Sequence, residues 1–158
     1  MNTPTDPLIR LLIIEDHPLI REAMLALFQK ATDIDGSACG TREAVWLAQR
    51  VVPHVVVLDI ASSEVDPFDT AASLLIERPG LRTLFLDDAM RPAHVHKTLA
   101  VGGVGYWTKN ASFDQIVGAV RRVWGGGLAF SPAAWQYVSP LGGNVQGQRI
   151  DSIDSETC

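Results

Sequence analysis

Short apolar runs alternate along this chain with segments whose apolar residues return at helical spacing. Runs suited to buried strands are Arg10 to Ile14, Ile34 to Ala38, Val55 to Leu58, Arg82 to Leu86 and Val104 to Thr108. Between them, Ala44, Leu47, Ala48 and Val51 recur at i, i+3, i+4 and i+7, and Phe68, Ala71, Ala72 and Leu75 repeat the interval, so each set lies on one helix face. Ile20, Met24, Leu27 and Phe28 mark an earlier helix, Val95 and Leu99 a later one, and Phe113, Ile116, Val117, Val120 and Trp124 the clearest of all. Start signals agree: Ser112 with Gln115 makes a capping box, and Asp66 before Pro67 offers an N-cap with a first-turn proline. Strict strand-helix alternation requires parallel strands with right-handed crossovers. It predicts an α/β fold, a doubly wound five-stranded parallel sheet with helices on both faces.

The pattern stops near Trp124, where Gly125, Gly126 and Gly127 punctuate the chain; Ser131 to Val138 suits one more short helix, and from Ser139 a polar composition predicts a flexible tail. The expected division is residues 1–8 as an N-terminal tail, 9–126 as the domain, and 127–158 as a short helix and tail. A length of 158 residues, 47% of them apolar, fills one core rather than two. Thirteen basic residues stand against 18 acidic ones, a net charge of −5, with no Lys/Arg cluster, which argues against nucleic-acid binding by this chain alone. Cys39 and Cys158 supply neither a disulfide framework nor a zinc ligand set and fit a reducing compartment. Leu11 to Ile14 is too short for a signal-peptide core or a membrane span, so a cytoplasmic location without membrane contact is expected.

Open α/β sheets bind ligands beyond the carboxyl ends of their strands. Those positions are nearly all ionisable here: Glu15 and Asp16 after the first strand, Asp59 after the third, Asp87 and Asp88 after the fourth, and Lys109 after the fifth. Converging carboxylates repel one another unless they share a hard cation, and Mg²⁺ or Mn²⁺ suits such a partly hydrated oxygen site. With a lysine to neutralise further charge, the set suits phosphoryl chemistry, in which one carboxylate attacks phosphorus to give an acyl phosphate. Asp59, central in the cluster and following the most strand-like run, is the strongest nucleophile candidate.

These residues carry a family resemblance. Ile14-Glu15-Asp16-His17-Pro18-Leu19-Ile20-Arg21, the Val56 to Ile60 strand end, Ala100 to Tyr106, and Lys109 fall at spacings that resemble the receiver domain of bacterial two-component response regulators, over about Ile9 to Trp124. The acid pair before His17-Pro18 and the stretch Ile116 to Pro132 look most like the NarL/LuxR branch. The resemblance implies a receiver (flavodoxin-like) fold, and a phosphorelay role in which a sensor histidine kinase supplies the phosphoryl group. It implies Asp59 as phosphoacceptor, Glu15, Asp16, Asp59 and the Ala61 carbonyl as Mg²⁺ (or Mn²⁺) ligands, Lys109 as the phosphoryl contact and Tyr106 as a switch aromatic. Output would pass through the fourth helix, fifth strand and fifth helix, with Trp107 and Tyr106 as anchors for a partner or a homodimer. Any enzyme-like act would be limited to self-phosphorylation and dephosphorylation at Asp59.

The sequence departs from the family pattern in three ways. Asp87 stands in place of the Ser or Thr at the end of the fourth strand. The loop Ala61 to Pro67 lacks the usual proline and glycine. The 34 residues after Trp124 are too few for the helix-turn-helix output domain through which branch members contact DNA and regulate transcription. Two alternatives therefore stand beside a phosphate-accepting receiver: a degenerate receiver that works as a phosphorylation-independent interaction module, and a truncated LuxR-type transcription regulator. An ionised Asp87 donates no hydrogen bond, and at ~5 Å with an effective dielectric of about 20 it would repel a phosphoryl charge by roughly 3 kcal/mol. Three placements are open for it: toward solvent or Lys109, in the phosphoryl position, or on the metal. His94 and His96, two apart on a helix, read as surface residues; His17 reads as a helix-start residue, Cys39 as a small buried hydrophobe, and Trp46 as an off-stripe aromatic.

Overall fold

A computed structural model describes residues 7–61 and 64–138. The expected flexible tail from Ser139 onward, most of the N-terminal tail, and Cys158 lie outside these residues. The elements run β1 (Ile9–Ile14), α1 (Pro18–Phe28), β2 (Ile34–Cys39), a 3-10 turn (Thr41–Glu43), α2 (Ala44–Val51), β3 (Val55–Asp59), α3 (Pro67–Glu77), β4 (Arg82–Asp87), α4 (Pro92–Ala100), β5 (Gly105–Thr108), α5 (Phe113–Trp124), β6 (Ala129–Phe130) and α6 (Pro132–Val138). The sheet is wholly parallel, in the order β2-β1-β3-β4-β5-β6. The expected α/β doubly wound architecture is therefore present, but with six strands rather than five. The sixth is two residues long, and Gly105 makes room for it: a Cβ there would come within 2.7 Å of the Ala129 carbonyl oxygen.

Alternation along the central strands divides the core into two layers. Leu12, Ile14, Val56, Leu58, Phe85 and Tyr106 face α2, α3, α4 and α6, whereas Leu11, Ile13, Val55, Val57, Leu84 and Leu86 face α1 and α5. All twelve are at most 3% exposed, so these strands read in the sequence as continuous apolar runs. Both predicted caps form: Asp66 Oδ1 accepts the Phe68 and Asp69 amides, and Ser112 and Gln115 complete a reciprocal capping box. The α1 stripe is only partly covered. Phe28 is buried, but Ile20 and Leu27 remain more than a third exposed and border a shallow groove between α1 and α5.

Candidate active site

The sheet order reverses between β1 and β3, and the side chains that follow their carboxyl ends share the crevice this creates. Asp59 closes β3 and is only 2% exposed. Its Oδ1 lies 2.7 Å from Lys109 Nζ and accepts the Ala61 amide at 3.3 Å. Glu15 is fully buried beside it; Glu15 Oε1 accepts the His17 amide at 3.1 Å and lies 2.9 Å from His17 Nδ1. Its other oxygen, Oε2, receives no N–H or hydroxyl donor among the described residues and sits 3.9 Å from Lys109 Nζ. Ligand atoms of Glu15, His17 and Asp59 lie within 4.8 Å of one another.

Burial and the adjoining Asp59 push the Glu15 carboxyl up to about 7, against the opposing pull of the His17 hydrogen bonds. Burial also pushes Asp59 upward, but hydrogen bonds from Glu15 and Lys109, with the Lys109 charge, outweigh it and hold Asp59 below the usual carboxylate range. The two acids thus divide their roles: Asp59 is the anion, and Glu15 holds its proton up to about pH 7.

Asp16 points elsewhere. Its carboxylate accepts the Thr41 amide at 2.7 Å, the Thr41 hydroxyl at 2.9 Å and 3.0 Å, and the Glu64 amide. Gly40 permits this approach, since a Cβ there would lie 2.9 Å from Asp16 Oδ1. Adjacent residues leaving a strand point to opposite sides, so the acid pair splits between crevice and flanking loop.

Asp87 is fully buried rather than turned to solvent, and its carboxylate bonds groups other than Lys109. Oδ2 accepts the Tyr106 hydroxyl at 2.6 Å and lies 2.6 Å from His94 Nδ1; Oδ1 is 2.7 Å from Arg91 Nη1 and accepts the Asp88 amide at 2.9 Å. The carboxylate therefore faces α4, and a guanidinium charge meets its own. His94, expected at the surface, is drawn into this cluster. Trp107 is half-buried, and its indole N–H donates to the Ala129 carbonyl at 2.8 Å. Tyr106 is wholly buried. Cys39 is buried as expected, with its thiol pushed up to about 12 by burial, and Trp46 is exposed beneath the Arg50 guanidinium.

The sequence profile of the response regulator receiver domain matches residues 11–121. The chain belongs to the response regulator receiver family. This receiver is 29% identical over 147 residues to the transcriptional regulatory protein MctR of Rhizobium johnstonii, covering 92% of this chain and 65% of that one. It is 26% identical over 148 residues to the response regulator GacA of Pseudomonas aeruginosa, covering 92% and 68%. Among solved structures it resembles the receiver domain of the putative response regulator NarL from Mycobacterium tuberculosis, with a TM-score of 0.70 at 26% identity over 77% of this chain and 99% of that one. A LuxR-family response regulator from Aurantimonas sp. SI85-9A1 shares the fold at a TM-score of 0.76 and 23% identity, over 84% and 96%. The receiver spans about two thirds of the length of these two curated relatives. It is a two-component response regulator receiver, and none of its described helices is long and apolar enough to cross a membrane.

Proposed function

We propose that Asp59 accepts a phosphoryl group from a sensor histidine kinase in the cytoplasm, and that the receiver transmits the event through protein contacts. One observation carries the reading: a buried Asp59 lies 2.7 Å from Lys109, beside a buried Glu15 whose second oxygen receives no N–H or hydroxyl donor among the described residues. In the step itself, an Asp59 oxygen attacks phosphorus, the new P–O bond forms as the donor's P–N bond breaks, and the leaving imidazole nitrogen takes up a proton. Lys109 offsets charge on the phosphoryl oxygens. Water later cleaves the acyl phosphate and regenerates the carboxylate.

The residues fit a hard divalent cation. Glu15 Oε2 is a buried oxygen that receives no N–H or hydroxyl donor among the described residues, and Asp59 supplies an anionic oxygen beside it. When bound, Mg²⁺ or Mn²⁺ supplies charge neutralisation for the transferring phosphoryl oxygens. Glu15, Asp16 and Asp59 would hold it with the Ala61 carbonyl, the set the family resemblance implies, Asp16 exchanging its present bonds to Thr41 and Glu64. We assign DNA contact, as in a transcription regulator, to a separate output domain, and pairing of two receivers to a surface of this domain.

A second reading, a phosphorylation-independent interaction module, is favoured by the Asp87 cluster, which is complete with Asp59 unmodified. Beryllofluoride, a phosphoryl mimic, separates the two. With Mg²⁺ present, fluorine-19 NMR is expected to show a bound species in the wild type and none in Asp59→Asn. Mg²⁺ binding without any beryllofluoride complex would overturn the phosphate-accepting reading.

A further inference from the structure

Buried carboxylates persist only when paired and hydrogen-bonded, so the number of groups that Asp87 gathers sets what it does. Four donors converge on it: the Tyr106 hydroxyl from β5, Arg91 and His94 at the start of α4, and the Asp88 amide. A Ser or Thr hydroxyl at this position has one oxygen and no charge, and cannot receive all four. Arg91 is the N-cap position of α4, a helix with no side-chain cap of its own. The carboxylate therefore fixes the first turn of α4 to the ends of β4 and β5.

The same strand carries the C-terminal segment. The Tyr106 carbonyl accepts the Ser131 amide at 2.9 Å, and the Val104 carbonyl accepts the Ala129 amide at 2.9 Å. The Trp107 indole reaches across to the Ala129 carbonyl. The segment then turns at Ser131, whose hydroxyl accepts the Ala134 amide, and α6 lies along α4, with Ala134 and Val138 buried in the core layer that holds Val95 and Tyr106. The His96 and Tyr137 rings meet edge-on across this contact.

We propose that Asp87 is a built-in latch: it holds Tyr106 inward and α4 in place while Asp59 is unphosphorylated, and so keeps residues 129–138 seated on the α4–β5 face as an intramolecular partner. That face is closed to other proteins while the latch holds, and control of it lies with the Asp87 cluster rather than with Asp59 alone. This inference goes beyond the phosphate-accepting reading and does not require it.

Hydrogen exchange read by mass spectrometry on the full chain, with no phosphoryl donor present, tests the latch. Asp87→Thr is expected to speed exchange on the order of tenfold or more in peptides covering 92–100 and 129–138, while Val55–Asp59 keeps its protection. Asp59→Asn is expected to leave the two segments within twofold of wild type. Should Asp87→Thr lose protection throughout, Tyr106→Phe, which keeps the ring and the carboxylate, is read instead, with the same local loosening expected. Unchanged exchange in both segments for the variant read would overturn the latch, as would loosening in Asp59→Asn equal to that in Asp87→Thr. Because no phosphoryl group is used, failure of Asp59 to accept one leaves this result unaffected.

Discussion

Glu15 makes the ion-free receiver sensitive to pH in a direction the structure fixes. Its carboxyl, ordinarily near 4.5, is raised to about 7 by burial and by Asp59. A folded-state value above the unfolded one means that the native protein binds a proton the unfolded chain releases. Stability from this group is therefore full below about pH 4.5 and falls as pH rises through about 7. At about 1.4 kcal/mol per pH unit, the span from 4.5 to about 7 corresponds to roughly 3 kcal/mol, an upper figure because water entering the crevice would solvate the ionised form. Asp59, whose carboxyl is held low, acts in a separate window: its contribution is present above about pH 4 and is lost on further acidification. Urea unfolding in a chelator, followed from pH 5 to pH 8, is expected to show stability falling by 1–3 kcal/mol for the wild type. Glu15→Gln cannot ionise and is expected to flatten the slope. Millimolar Mg²⁺ is expected to restore the wild type at pH 8 but not Glu15→Gln to the same degree, since binding to the native state alone adds stability. A wild-type profile that is flat, or that rises over this range, would refute the assignment of a retained proton to Glu15.

Tyr106→Phe removes the hydroxyl that bonds Asp87 at 2.6 Å but leaves His94 on the same oxygen, so the expected loss is about 2 kcal/mol, or roughly 4–8 °C in Tm by calorimetry. In a double-mutant cycle with Asp87→Asn, a coupling of about 1 kcal/mol or more is expected; additive losses would show that the two groups do not act together. Asp66→Ala frees the Phe68 and Asp69 amides of α3 and is expected to cost about 1 kcal/mol by urea unfolding, with no loss of beryllofluoride binding. Lys109→Ala leaves Asp59 buried without its cationic partner, and is expected to raise the pH at which Asp59 ionises, read by carbon-13 NMR of the carboxyl.

The strands were legible because burial on both faces leaves apolar runs such as Val55 to Leu58 with little else to become. Helix starts were legible where a side chain does the capping, as at Asp66 and Ser112. β6 was not, because two residues carry no periodicity; its place depends on the open edge of β5 and on the missing Cβ of Gly105. The strand-end rule assembled Glu15, Asp59 and Lys109 correctly, since topology alone brings those chain positions together. For Asp16 the structure shows bonds to Thr41 and Glu64, and part of that arrangement was readable in the sequence: neighbours leaving a strand diverge, and Gly40 opens space for the second acid. The partners of Asp87 were hidden for a different reason. The turn from Asp88 to Arg91 directs Arg91 and His94 back onto the strand end, and no hydrophobic pattern encodes that path. Spacing between His94 and His96 excluded their pairing with each other but said nothing about an acid seven residues earlier.

The measurement that bears most directly on Asp59 is covalent. Incubated with acetyl phosphate and Mg²⁺, the intact protein should gain the mass of one phosphoryl group, and proteolytic mapping should place it on Asp59 within the peptide that contains Val55 to Ile60. Asp59→Asn should gain none, and a chelator should suppress the gain in the wild type. Equal labelling of Asp59→Asn, or none of the wild type while it binds Mg²⁺, would contradict the account.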